Sequence, residues 1–142
     1  MNNSDVALGG GLAELRGIAE AACENAVAPY SEFRVGAALR TVAGGVFGGC
    51  NVETANYTLG LCAERVALVT AACAEGPHMR IAEVVVVIST GQPVAPCGAC
   101  RQMLYEFGPD CTVTLLGKAG TVTHSIGELL PHPFGAEDLR KA

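Results

Sequence analysis

Tryptophan is absent from this 142-residue chain, and aromatic residues make up 5% of it, so any core must come from aliphatic side chains. Charge is also scarce at 16%, and the nine Lys and Arg residues form no basic cluster within a formal net charge of −5. A surface of that kind offers no footprint for a polyanion, which argues against nucleic acid as a partner. No apolar run approaches bilayer length; the most apolar stretch, 84–88, is far too short to span a membrane. The first ten residues lack a basic segment followed by an apolar one, so a soluble, unexported, cytoplasmic protein is the expectation. Histidine is sparse as well. His78, His124 and His132 fall outside any ligand spacing with the cysteines and are expected at the surface.

What the chain has is apolar material: half its residues are hydrophobic. A chain of this length buries roughly two-thirds of its unfolded surface, enough for one domain spanning residues 1–142. The apolar excess points further, to contacts between subunits. Seven cysteines, an odd number without an export signal, fit metal binding or burial better than a disulfide framework. Of these, Cys23, Cys50, Cys73 and Cys111 are flanked by small or apolar residues and are expected to be buried, inert thiols.

Leu12, Leu15, Ile18, Ala19, Ala22, Cys23 and Ala26 recur at helical spacing and predict an amphipathic helix over 11–27, closed by Pro29. Two strands, 34–41 and 45–50, are expected around a turn at Ala43-Gly44-Gly45, followed by a loop over 51–60. The Ala- and Leu-rich segment 61–75 reads as a helix stopped by Gly76-Pro77, and the valine run in 81–89 as a buried central strand. A short helix over 98–107, a strand over 111–116, a helix over 125–130 and one last turn complete the reading. Helices alternating with strands predict an α/β protein with one mixed sheet of about five strands and helices on both faces.

The chemistry concentrates in Cys62-Ala63-Glu64 and Pro96-Cys97-Gly98-Ala99-Cys100. Cys62, Cys97 and Cys100 supply three zinc-grade thiolates, and three protein ligands leave a fourth position for water, the pattern of a catalytic site. Cys62 and Cys97 are expected at helix N-termini, where the helix dipole and free N–H groups favour thiolate. Glu64 is the candidate proton carrier, although residues two apart do not share a helical face and an acid at a helix start is favourable in its own right. Arg65, three residues after Cys62, falls on the same face and can draw charge from the sulfurs. Arg101 has an equal reading as a solvated or subunit-contact side chain. Two other readings stay open on spacing alone: a CxxC thiol redox protein built on Cys97 and Cys100, and a structural zinc module with histidine as fourth ligand.

Cys62-Ala63-Glu64-Arg65 followed by Pro96-Cys97-Gly98-Ala99-Cys100-Arg101-Gln102 resembles the small homotetrameric zinc-dependent cytidine deaminases. The likeness extends from about Ala28 to Leu139 through Pro29-Tyr30-Ser31, Phe33, Val35-Gly36-Ala37-Ala38, Gly49-Cys50-Asn51-Val52-Glu53, Leu129-Leu130-Pro131 and Phe134-Gly135. The resemblance implies the three-layer α/β/α fold of that family, one Zn2+ per chain, and a homotetramer with shared active sites. It also implies hydrolytic deamination of cytidine and 2′-deoxycytidine, in which zinc-activated hydroxide adds to C4 and Glu64 shuttles protons, as part of pyrimidine salvage. By position, Phe33 should stack on the pyrimidine, and Asn51 and Glu53 should hold the ribose hydroxyls. The Ala63 N–H should meet the pyrimidine carbonyl and the Ala95 carbonyl the leaving amine, while Phe134 should arrive from another subunit. Tyr30 and Tyr57 match positions near the intersubunit site. A deaminase of a cytosine nucleoside antibiotic such as blasticidin S shares the metal motifs and is the nearest alternative.

Overall fold

The computed structural model describes residues 9–140. In chain order they form α1 (Gly9–Glu24), β1 (Val35–Thr41), β2 (Val46–Cys50), a 3-10 turn (Tyr57–Leu59), α2 (Ala63–Glu75), β3 (Ile81–Ile88), α3 (Gly98–Phe107), β4 (Thr112–Gly117), β5 (Gly120–Ser125), α4 (Ile126–Leu129) and α5 (Ala136–Arg140). The five strands make one mixed sheet in the order β2-β1-β3-β4-β5. β1 runs antiparallel to both β2 and β3, β4 is parallel to β3, and β5 is antiparallel to β4. The parallel pair requires a crossover, and α3 provides it.

Alternation along the strands divides the interior in two. Ala37 and Leu39 of β1, Val84, Val86 and Ile88 of β3, and Val113 and Leu115 of β4 face α2 and α3, packing with Ala63, Ala67, Leu68, Ala71 and Leu104. On the opposite face, Ala38 and Val85, paired across the β1–β3 ladder, meet Leu15 and Ala19 of α1. This is the expected α/β/α layering, built without tryptophan because short aliphatic side chains let the layers approach closely. Gly36 shows how closely: a Cβ there would overlap the Ala19 carbonyl and the Cys23 backbone of α1. On the other face, a Cβ on Gly49 would overlap the α2 backbone at Ala63 and Ala67, so this glycine sets how near the first turn of α2 lies to the sheet.

Several expected boundaries move. The first helix ends at Glu24 rather than residue 27, because Val27 turns its backbone to the 51–53 segment: its N–H donates to the Asn51 carbonyl at 3.0 Å, and its carbonyl accepts from Glu53 N–H at 2.8 Å. The expected loop 51–60 is correspondingly tied down, with Val52 also bridging Leu61. β5 had no place in the sequence reading; its Thr121-Val122-Thr123 core is largely exposed, and a Lys118-Ala119 turn returns it along β4. Helix 125–130 contracts to α4, with Ser125 as its N-cap in a capping box with Glu128. Cys23 and Cys111 are buried as expected and Cys50 is partly so, but Cys73 is exposed on the outer side of α2.

Close packing at Gly36 predicts that Gly36→Ala, although a single added methyl, costs about 2 kcal/mol or more, because helix backbone rather than a flexible side chain occupies the space. A lowered midpoint in urea unfolding, with native zinc content in the remaining folded protein, is the expected result.

Candidate active site

α2 and α3 lie on the same face of the sheet and begin where β3 ends, at the carboxyl end of the parallel β3–β4 pair. Open α/β sheets place their ligand sites at such ends. Cys62 is the N-cap of α2 and Cys97 the N-cap of α3; both have extended backbones, and neither side chain makes a capping hydrogen bond. The N–H groups of both first turns are thus left facing the same point. Cys100, one turn into α3, is buried and completes the group.

Among the described residues, Cys62, Cys97 and Cys100 are the group whose ligand atoms gather as metal donors, their sulfurs all within 4.8 Å of one another. Cys62 Sγ and Cys97 Sγ are 3.7 Å apart. Tetrahedral zinc with Zn–S bonds of about 2.3 Å holds its sulfurs about 3.8 Å apart, so the donor set and its spacing fit that ion. Neighbouring charge fits as well. The Arg65 guanidinium lies 4.0 Å from Cys62 Sγ and donates to the Gly60 carbonyl at 3.2 Å, while its buried Nε has no protein partner. A cation kept partly unpaired behind the sulfurs is suited to stabilising thiolates. The Cys62 thiol is brought down to about 5, chiefly by the hydrogen bond from Cys100, with Cys97 and Arg65 adding and burial opposing. Cys100 is pushed the other way by its interaction with Cys62, by burial and by the Glu64 charge, and its Sγ donates to Glu64 Oε2. Its proton is one that metal binding must displace. The CxxC pair is therefore part of a three-sulfur cluster, not an isolated redox pair.

Glu64 sits in the first turn of α2, only 6% exposed, with Oε2 3.7 Å from Cys100 Sγ. Burial raises its pKa above the ordinary carboxylate range, and the Cys62 charge raises it further. First-turn geometry brings it to the sulfurs, which a two-residue spacing in a regular helix does not.

A cavity of about 470 Å3 opens over this cluster. Cys62, Ala63, Glu64, Arg65 and Cys97 form its inner end, Val86 and Ile88 a wall, and Phe33, Asn51, Glu53 and Tyr57 its rim. Val94, Ala95 and Pro96 line the side nearest α3. Tyr30 lines a smaller adjoining hollow with Ser31, Glu53 and Tyr57, and its ring meets that of Tyr57 edge to face at 5.8 Å. Phe134 is not brought to the cavity of its own chain: it is 58% exposed, and its carbonyl accepts from Gln102 Nε2.

Two rim side chains are already committed within the chain. Asn51 Oδ1 accepts from Val35 N–H and its Nδ2 donates to the Phe33 carbonyl, both at 2.8 Å, so this amide pins the strand entry that carries the Phe33 ring. Glu53 accepts from the backbone N–H groups of Tyr30 and Ser31 and from Ser31 Oγ, bonds that hold its carboxyl below the usual range. Ser31 was legible only as part of a matching motif. Arg101 is half-buried and already paired within this chain: it donates to the Pro96 and Leu129 carbonyls. Only the fold brings those acceptors to it.

Three cysteine sulfurs gathered at paired helix starts, with a buried acid beside them under an apolar-walled cavity, fit a zinc site. Comparison with known proteins places it in a family. Residues 13–116 match the family described as the cytidine and deoxycytidylate deaminase zinc-binding region. The cytidine deaminase of Halalkalibacterium halodurans is 47% identical over 118 residues, 82% of this chain and 88% of that protein. The crystal structure of cytidine deaminase from Burkholderia pseudomallei aligns with a TM-score of 0.79 at 50% identity, covering 85% of this chain and 97% of that one. A blasticidin-S deaminase from Bacillus cereus is more distant, 29% identical over 123 residues, 80% of this chain and 87% of that protein. This chain belongs to the zinc-binding cytidine and deoxycytidylate deaminase family.

Cys97→Ala or Cys100→Ala should drop the zinc content of purified protein from one ion per chain to near zero, read by elemental analysis. The outward-facing Cys73→Ala should leave it unchanged.

Proposed function

We propose that this protein deaminates cytidine and 2′-deoxycytidine hydrolytically to uridine, or deoxyuridine, and ammonia. The observation that carries the reading is the buried Glu64 carboxylate beside three metal-grade sulfurs at the inner end of a nucleoside-sized cavity. Cys62, Cys97 and Cys100 would hold zinc, which when bound supplies a water acidic enough to act as a nucleophile near neutral pH. Glu64 accepts the proton given up by the attacking water and delivers it to ring N3, which makes C4 more electrophilic; it then takes the proton of the new C4 hydroxyl and passes it to the amine, so that the C4 carbonyl forms as the C4–N bond breaks and ammonia leaves. Arg65 balances the sulfur charge from behind.

The rest of the cavity orients the nucleoside. Ala63 and Ala95 both line the cavity; the Ala63 N–H, one of the orphan donors of the first turn of α2, would meet the pyrimidine carbonyl, and the Ala95 carbonyl the leaving amino group. Phe33 offers a face to the ring. Its neighbours keep capacity for the ribose despite their internal bonds. Glu53 uses three of about four acceptor sites and retains one on Oε2; Asn51 retains one N–H and one lone pair. A carboxylate at the rim, and a single lining cation already engaged with Cys62 and Gly60, favour an uncharged nucleoside over a 5′-monophosphate. Exposed Tyr30, Tyr57 and Phe134 support a homotetramer in which Phe134 completes a neighbour's site and the two tyrosines border it. Pyrimidine salvage in the cytoplasm is the setting we propose.

Glu64→Ala should keep its zinc and its fold while losing roughly 100-fold or more in kcat, measured by the ultraviolet change and by ammonia release. Near-normal turnover by the zinc-loaded variant would refute the shuttle role. Phe33→Ala should instead raise KM for cytidine about three- to tenfold, the scale of one lost aromatic contact, with a smaller change in kcat. The relationship to blasticidin-S deaminase makes that antibiotic the competing substrate, and side-by-side rates should favour cytidine strongly; the reverse order would replace the proposed substrate.

A further inference from the structure

Cys100 is followed by two residues whose side chains reach across to the C-terminal part of the chain. Arg101 Nε donates to the Pro96 carbonyl at 2.7 Å, and its Nη1 to the Leu129 carbonyl at 2.8 Å. Gln102 Nε2 donates to the Phe134 carbonyl at 2.8 Å and to Glu106 Oε1 at 2.7 Å, so a carboxylate one turn further along α3 steadies the amide. Beyond them, the Tyr105 ring lies against Gly135, where an added Cβ would come within 3.4 Å of it.

The two prolines stiffen the segment between those contacts locally but leave it few donors with which to anchor itself to the rest of the fold. Pro131 and Pro133 carry no N–H to donate, and His132 between them has a φ of 53°, the left-handed region that is unfavourable for a residue with a side chain. Its two ends, Leu129 and Phe134, are the points gripped from α3.

We propose that Arg101 and Gln102 are positioning residues: they clasp segment 129–134 onto the helix that carries Cys100 and so fix where the Phe134 ring is presented. This rests on the reading of Phe134 as a nucleoside contact delivered to a neighbouring subunit. Because Arg101 also grips the Pro96 carbonyl next to Cys97, the loop that holds one site's metal and the ring sent to the next site's substrate belong to one braced unit.

A double-mutant cycle on the full-length, zinc-loaded enzyme with cytidine as substrate tests this. Gln102→Met keeps the side-chain length but cannot donate. It should lower kcat/KM roughly three- to tenfold, the scale of one hydrogen bond, mainly through KM and with native zinc content. Gln102→Glu, also without a donor, is the second variant if the first fails to fold. In a Phe134→Ala background either change should have no further effect, because no ring remains to be placed. Arg101→Lys, whose ammonium lacks the guanidinium fork, also loosens the Pro96 carbonyl beside Cys97, so its effect should be reduced but not abolished in the Phe134→Ala background. Wild-type kinetics in the Gln102 variants, or a Gln102 effect that persists undiminished beside Phe134→Ala, would overturn the clasp while leaving the role of Phe134 standing. Wild-type kinetics in Phe134→Ala alone would remove that role and the clasp together.

Discussion

Two helix starts aimed at one point are the constraint on which this structure depends. Each contributes the positive end of a helix and free N–H groups, and each carries a cysteine at its cap position, so negative sulfur is placed where the backbone favours it. Thiols packed at 3.7 Å with a buried carboxylate against them could not all ionise in a low dielectric without a compensating cation. Arg65 supplies part of that compensation, and a zinc ion held by the three cysteines would supply the rest. The sheet order makes the meeting possible. α2 and α3 share one face of the sheet, and Gly49 lets α2 settle close enough for its first turn to align with that of α3.

Around this fixed centre the rim is built by economical use of hydrogen bonds. One asparagine amide completes the entry of β1 and holds the residue that carries Phe33; one glutamate closes the Tyr30–Ser31 turn. Both retain part of their bonding capacity for a ligand. The same side chains therefore organise the loops and face the cavity, which explains why the expected loop 51–60 is pinned through Val27, Val52 and Leu61.

Much of this was legible in residue order because it is local. The valine run of β3, the helix stop at Gly76-Pro77 and the cysteine spacings each carry their own signature, and they sufficed for the layers and the metal donors. β5 escaped because its residues are mostly exposed, and a strand paired on one edge with little to bury leaves a weak apolar pattern. Helical periodicity continues three residues past the end of α1, because nothing in 25–27 shows that Val27 bonds with the backbone at 51–53. Cys73 was expected to be buried because alanine neighbours look the same on either side of a helix.

The sequence by itself determined the α/β alternation, the three thiolates, the neighbouring acid and the family those residues resemble, since propensity, periodicity and ligand chemistry are properties of short stretches. Only the tertiary structure decided that Cys62 meets Cys97, that Glu64 is buried beside Cys100, that Asn51 and Glu53 spend half or more of their bonds inside the chain, and that Arg101 and Gln102 reach Leu129 and Phe134. Each of these joins segments 16 to 36 residues apart in sequence. Contacts at that separation are set by how helices dock on a sheet, and the order of residues carries no local signature of them.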